Sequence, residues 1–257
     1  MTDLISVPTQ APGMLPAEAV VQTMSSGLGF ERVEHLDKAT FKDSSTCIVV
    51  PTRGAVHHRI VGAWQSLIAP MNQKRAFFLV SGAEVGDAYN TAIQNILGNP
   101  ELGNWKYVLT LEDDNLPPPD AHIRLLESID KGYDAVSGIY FTKGEINMPM
   151  AYGNPATFAE TGVLDFRPLD IAQDLKAEAL VPVNGIAMGC ALYRMDLFRE
   201  IQPPWFVTVA DLIPGEGVKC YTQDLQFCEK AVRAGKKFAV DCRVKVGHLD
   251  QTTGIVY

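Results

Sequence analysis

The order of elements in this chain predicts an α/β domain: a mainly parallel sheet with helices on both faces. Three observations carry it. From Thr46 onward, short β-branched or aromatic runs alternate with segments of helical period, in the order βαβαβαβ. Glycines close two of the three helical segments at the places where helices stop. The 257 residues, 47% hydrophobic and 20% charged, have the make-up of a globular chain long enough for a sizeable core.

Each element follows from its residues. CIVVP (47–51) is a β-branched run stopped by proline, and HRIVGAWQSLI (58–68) has helical spacing at Ile60, Ala63, Trp64 and Leu67. RAFFLVSG (75–82) reads as the second strand, and VGDAYNTAIQNILG (85–98) as a helix closed by Gly98. KYVLTLE (106–112) is the third strand. PDAHIRLLESIDKG (119–132) is the third helix, with Ile123, Leu126 and Ile129 inward, and DAVSGIYF (134–141) the fourth strand. Residues 142–182 are rich in Pro, Gly and Asp and predict loops with at most a small hairpin. Residues 183–201 read as a strand pair running into a short helix. YTQDLQFCEKAVRAG (221–235) is a helix with Thr222 as N-cap and Leu225, Cys228 and Val232 on one face. KFAVD (237–241) and VKVGH (244–248) are closing strands. Residues 1–44, rich in Pro, Gly, Ser and Thr, read as an extension with a short helix around 17–24, packed on a main domain of residues 45–257.

Composition excludes several functions. A net charge of −8 and a pI near 5.1 argue against a surface that grips nucleic acid throughout. The one basic cluster, RGAVHHR from Arg53 to Arg59, could start a local groove or simply a solvated helix. No apolar run approaches the roughly 20 residues of a membrane span, and no secretory signal opens the chain. Five cysteines without CxxC spacing fit free thiols in a reducing cytoplasm.

The chemistry concentrates in LTLEDDNLPPPD (109–120). An apolar strand ends in Glu112, Asp113 and Asp114 before prolines turn the chain. Ligands of parallel α/β sheets bind at the carboxyl ends of strands, and three carboxylates there suit Mg²⁺ or Mn²⁺ with phosphate oxygens completing the shell. Pro51, Thr52 and Arg53 end the first strand, His248 ends the last, and Asp224 stands in the first turn of a helix. Each also has a plain structural explanation: a helix cap, a loop start, a satisfied core histidine, a complement to a helix dipole.

Together and in this order, PTRG, VGDAYNTAI, LEDDNLPPPD, NGIAMGCALYRMDLF with PPWF, YTQDLQFCEKAVRAGKKFAVD and VGH resemble the nucleotide-sugar-dependent glycosyltransferases of the GT-A fold, especially family 2 and its phage and bacterial relatives. The resemblance spans about Thr46 to Asp250. It implies a Rossmann-like mixed, mainly parallel sheet and a Mn²⁺ or Mg²⁺ held by Asp114 and His248. It also implies that Pro51, Thr52, Arg53, Asn90, Glu112, Asp113 and Asp114 bind the nucleotide-sugar. Met188, Gly189, Trp205 and Phe206 would shape the sugar and acceptor pocket, and Asp224 would be the base of an inverting transfer. Three departures stand out: Glu112 replaces the first Asp of the DxD motif, Tyr89-Asn90 replaces Arg-Asn, and Gln223 replaces a Glu. The implied donor is a nucleoside-diphosphate sugar, with UDP favoured. The acceptor is a hydroxyl on a soluble glycan, a protein, a small molecule or a hydroxymethylated phage-type DNA base. Two other readings stand beside this one. A nucleotidyltransferase would need a richer glycine loop than PTRGAVHHR, and a GT-A-like module that binds a glycan or partner without turnover is suggested by Glu112 and Gln223.

Overall fold

Strands without a polar break need apolar cover on both faces, and the computed structural model supplies it. It describes residues 18–19, 36–37, 42–162, 164–215 and 217–257. The chain divides into two units, Met1–Asp43 and Ser44–Tyr257. In the first, Glu18–Ala19 pairs antiparallel with Leu36–Asp37. Backbone at Glu18 and Ala19 is therefore extended in place of the expected helix, and the rest of that helix lies outside the described residues.

The second unit begins with β1 (Thr46–Thr52), α1 (His58–Ser66), β2 (Arg75–Ser81), α2 (Val85–Gly98), β3 (Tyr107–Leu111), the two-residue β4 (Asn115–Leu116), α3 (Ala121–Ile129) and β5 (Ala135–Ile139). It continues with β6 (Ala151–Tyr152), α4 (Pro155–Thr161), α5 (Pro168–Ala177), β7 (Leu180–Val183), β8 (Gly185–Ile186), β9 (Cys190–Arg194) and α6 (Met195–Glu200). It ends with β10 (Val209–Ile213), β11 (Gly217–Tyr221), α7 (Gln223–Arg233), β12 (Phe238–Lys245) and β13 (Gly247–His248).

Seven strands form one sheet in the order β2-β1-β3-β9-β5-β12-β7. β2, β1, β3, β5 and β12 share one direction, while β9 and β7 oppose them. Alternate residues feed two cores. Cys47 and Val49 of β1 join Tyr89, Ile93 and Ile96 of α2 and Phe227 of α7 on one side. Ile48 and Val50 join Ile60 and Trp64 of α1 and Leu125 and Ile129 of α3 on the other. β2 lies at the sheet's edge and leaves Phe77 and Leu79 of its outer face exposed.

Direction places the functional edge. The C-terminal ends of β1, β3, β5 and β12 align, and β9, running the other way, brings its N-terminal residue Cys190 opposite Leu111 at the same edge. The two-residue strands β4 and β13 then pair Asn115 with His248, tying the end of the chain beside the acidic triplet.

Four further expectations are corrected. Residues 142–182 hold α4, α5 and β7, because Pro155 and Pro168 occupy first-turn helix positions where proline is tolerated. The buried stripe of α3 runs through Leu125, with Ile123 only half-buried. That of α7 is Asp224, Phe227, Cys228 and Ala231, one residue round from the stripe expected. The closing strands are one long β12 followed by β13, since the register slips between Asp241 and Lys245 instead of breaking.

That slip depends on a glycine. A Cβ on Gly138 of β5 would meet Val246 Cγ2 at 2.7 Å and Val244 Cγ1 and O at 2.8 Å. Gly138→Ala should destabilise the domain by about 1–3 kcal/mol, the usual cost of overpacking. Urea unfolding measures this, and an unchanged midpoint would mean the bulge relaxes freely.

Candidate functional site

At the end of β1, Gly54 turns the chain with φ +104°, and Thr52 Oγ1 accepts from its N–H at 3.1 Å. Asp113 Oδ2 accepts from Arg53 N at 3.2 Å, joining this turn to the triplet after β3. Pro51, Thr52, Arg53, Glu84, Glu112, Asp113, Asp114 and Gln223 line a cavity of about 430 Å³. Glu84 caps α2, its Oε2 accepting from Gly86 N at 2.7 Å and Asp87 N at 3.2 Å, while Oε1 accepts from Thr208 Oγ1 at 3.4 Å.

Asp114 is gripped from two sides. Lys143 Nζ lies 2.6 Å from its Oδ2, and His248 Nε2 lies 3.4 Å from the same oxygen. Burial alone would raise its pKa, but the bonds from His248 and Lys143 outweigh that and hold the carboxyl below the usual range. His248 is oriented from behind: its Nδ1 lies 2.7 Å from Phe141 O, and a carbonyl can only accept, so Nδ1 carries the proton. Nε2 thus faces the carboxylate either with a second proton, which would bond to Oδ2, or with a lone pair, which only a cation between the two groups could satisfy. A histidine donating through one nitrogen to a backbone carbonyl is also the arrangement of metal-ligating imidazoles.

Glu112 is treated oppositely. Burial, with the charges of Asp114, Asp224 and Asp113, pushes its pKa up to about 8. Its N–H donates to Gly189 O at 3.3 Å. Asp224, 8% exposed, has a pKa raised by burial despite bonds from Thr222 and the Leu225 N–H.

The sheet edge therefore brings together Pro51, Thr52, Arg53, Glu112, Asp113, Asp114 and His248. Asp224 stands close enough to Glu112 to perturb it, but Gln223 is the neighbour that lines the cavity. Other sequence-predicted residues have structural work. Asn90 accepts from Trp205 N at 2.9 Å and Phe206 N at 3.0 Å and donates to Phe206 O at 2.6 Å, so its carboxamide is spent on a backbone latch. Trp205 and Phe206 are buried among Phe198, Tyr89 and Phe227, and the Trp205 indole donates to Phe198 O and Ile201 O. They are core, not pocket wall. Met188 is likewise buried, its carbonyl accepting from Thr110 Oγ1. Gly189 allows close approach: a Cβ there would stand 2.3 Å from Asn115 Oδ1. In the basic cluster, Arg59 donates to Gly254 O at 3.3 Å.

Sequence reasoning missed Glu84, Lys143 and Gln251, which donates to Asp113 O at 2.7 Å. Glu84 was detectable as an acid just before a helical run. Lys143 and Gln251 lie in segments without a pattern to place them.

Among the described residues no three His, Cys, Asp or Glu side chains gather into a metal cage. Asp114 and His248 nevertheless fit a divalent ion as a pair, one hard oxygen in the turn before β4 and one imidazole nitrogen on β13, beside the cavity that Asp114 lines.

No family model matches the chain, and no curated protein does. Solved structures match in fold. The crystal structure of A197 from STIV aligns with a TM-score of 0.55 at 16% identity, over 80% of this chain and 86% of that one. The crystal structure of GalNAc-T7 with UDP, GalNAc and Mn²⁺ aligns with a TM-score of 0.54 at 10% identity, over 82% of this chain and 44% of that one. The chain thus spans less than half of GalNAc-T7. At these identities the likeness is one of architecture: this chain has a GT-A-like, Rossmann-type α/β fold.

Proposed function

We propose that this chain is a glycosyltransferase that moves a sugar from a nucleoside diphosphate to a hydroxyl acceptor. One observation carries the reading: Asp114, paired with His248, stands at the aligned strand ends beside a cavity that Thr52, Arg53 and Glu112 line. The GT-A-like fold and the UDP, GalNAc and Mn²⁺ in the GalNAc-T7 structure support it. Asp114 Oδ2 and His248 Nε2 would hold Mn²⁺ or Mg²⁺, which would offset the charge growing on the departing diphosphate. The Arg53 guanidinium and Thr52 hydroxyl would face the nucleotide. Glu112, protonated below about pH 8, can donate a hydrogen bond to a sugar hydroxyl, which an ionised carboxylate cannot. Asp224, with its pKa raised by burial, is suited to take the acceptor's proton.

A second reading, a binding module without turnover, is favoured by the burial of Asp224 and the presence of Gln223 at the cavity wall. Asp224→Asn separates the two. For an enzyme the variant should keep nucleotide binding and lose at least about a hundredfold in turnover. For a binding module, wild type shows no turnover and the variant changes nothing.

Thermal unfolding with UDP, GDP, CDP or ADP, with and without Mn²⁺, tests the donor. One nucleotide at about 100 times its Kd should add about 2.7 kcal/mol, a shift of several degrees, only when Mn²⁺ is present. Asp114→Ala should abolish the shift. If no nucleotide moves the transition, the donor reading is wrong.

Glu112 makes a pH prediction. Its folded-state pKa of about 8 exceeds the ordinary 4.5, so between those values the folded protein holds a proton the unfolded chain has released. In chelator-treated protein, stability should therefore fall as pH rises from about 4.5 to about 8. Glu112→Gln should flatten that slope, and an identical slope in the variant would refute the assignment.

A further inference from the structure

Lys143 enters neither the family resemblance nor the function proposed above, yet it makes the shortest contact to Asp114. Its Nζ lies 2.6 Å from Oδ2, the oxygen that His248 Nε2 faces at 3.4 Å. The three groups are only 33%, 23% and 14% exposed (Lys143, Asp114, His248), so the pair is shielded from much of the screening that weakens surface ion pairs. An ammonium this close opposes, by like-charge repulsion, the approach of a divalent ion to the same oxygen.

We infer that Lys143 is a resident cation on the metal-binding oxygen of Asp114, displaced when a divalent ion binds. The inference rests on the metal reading of Asp114 and His248. Two features let the lysine leave without dismantling the site. Its loop is closed on itself: Thr142 N donates to Met148 O at 2.9 Å, Met148 N to Thr142 Oγ1 at 3.0 Å, and Thr142 Oγ1 to Ile146 O at 3.0 Å. The His248 ring is held separately, through Nδ1 to Phe141 O at 2.7 Å and edge-on packing against Tyr140. Release of Lys143 therefore takes rotation of one long side chain, while Nε2 stays aimed at Oδ2. Before the ion arrives, the ammonium supplies the positive charge that Asp114 and its acidic neighbours need. Afterwards it is free beside the cavity, where an anionic diphosphate would be attracted to it.

The test is Mn²⁺ binding to the full chain without nucleotide, read from the electron paramagnetic resonance signal of free Mn²⁺. Lys143→Met should bind Mn²⁺ at least about tenfold more tightly than wild type, the scale of one charge-assisted hydrogen bond. Lys143→Arg, which keeps the charge, should bind like wild type, and Asp114→Ala should not bind. If Lys143→Met binds no more tightly while Asp114→Ala loses the ion, displacement is overturned and the metal site stands. If Asp114→Ala binds like wild type, or no form binds, the metal reading fails and this inference with it.

Discussion

Three consecutive carboxylates at the end of one strand cannot all stand ionised and unpaired, and the surrounding structure depends on how their charge is settled. Each is settled differently. Glu112, half-buried at the cavity wall beside three other acids, has its pKa pushed up to about 8. Asp113 is bonded to the Arg53 N–H across the strand gap, with Gln251 on its carbonyl. Asp114 stays ionised because Lys143 and His248 meet it. The outcome is a graded set: a neutral donor, an anchored acid and a charge-paired ligand within three residues.

Chain direction made these partners available. Had every strand run parallel, the region beyond β3 would have faced only loops from its own side. Because β9 opposes β3 and β5, the turn before it delivers Gly189 to the end of β3. There its carbonyl accepts from Glu112 N, and its own N–H donates to the Tyr140 hydroxyl at 2.9 Å. The same Tyr140 packs edge-on against His248. A small residue at 189 is therefore part of the acidic site's foundation. The resemblance implies a place for Gly189 in the sugar and acceptor pocket; in the fold its backbone supports the acidic edge.

The first half of the fold was legible because its signals are local. β-branched runs bounded by Pro or Gly, and helices of one clear period, identify themselves without tertiary knowledge. The acids at the end of β3 were legible for the same reason. Roles set by long-range geometry escaped. Lys143 reaches Asp114 across 29 residues, and Asn90 latches a segment 115 residues away. The resemblance implies a pocket role for Trp205 and Phe206, while long-range packing buries both side chains. The helices within 142–182 were hidden by prolines, because a proline starts a helix only when the residues after it can continue one.

Residues 223 and 224 show how one helical step can divide a motif between two tasks. Adjacent helix positions differ by about 100° in direction, so both cannot face the same way. α7 turns Asp224 inward with Phe227, Cys228 and Ala231, which costs the carboxylate its hydration and raises its affinity for a proton. Residue 223 is thereby turned to the cavity that Glu112, Asp113 and Asp114 already line. A carboxylate there would add another negative charge to a wall where Glu112 already retains its proton. The glutamine amide offers a donor and an acceptor without that charge, and its Oε1 accepts from the Thr208 hydroxyl at 3.4 Å. Gln223 thus lines this edge without adding to its crowding of charge.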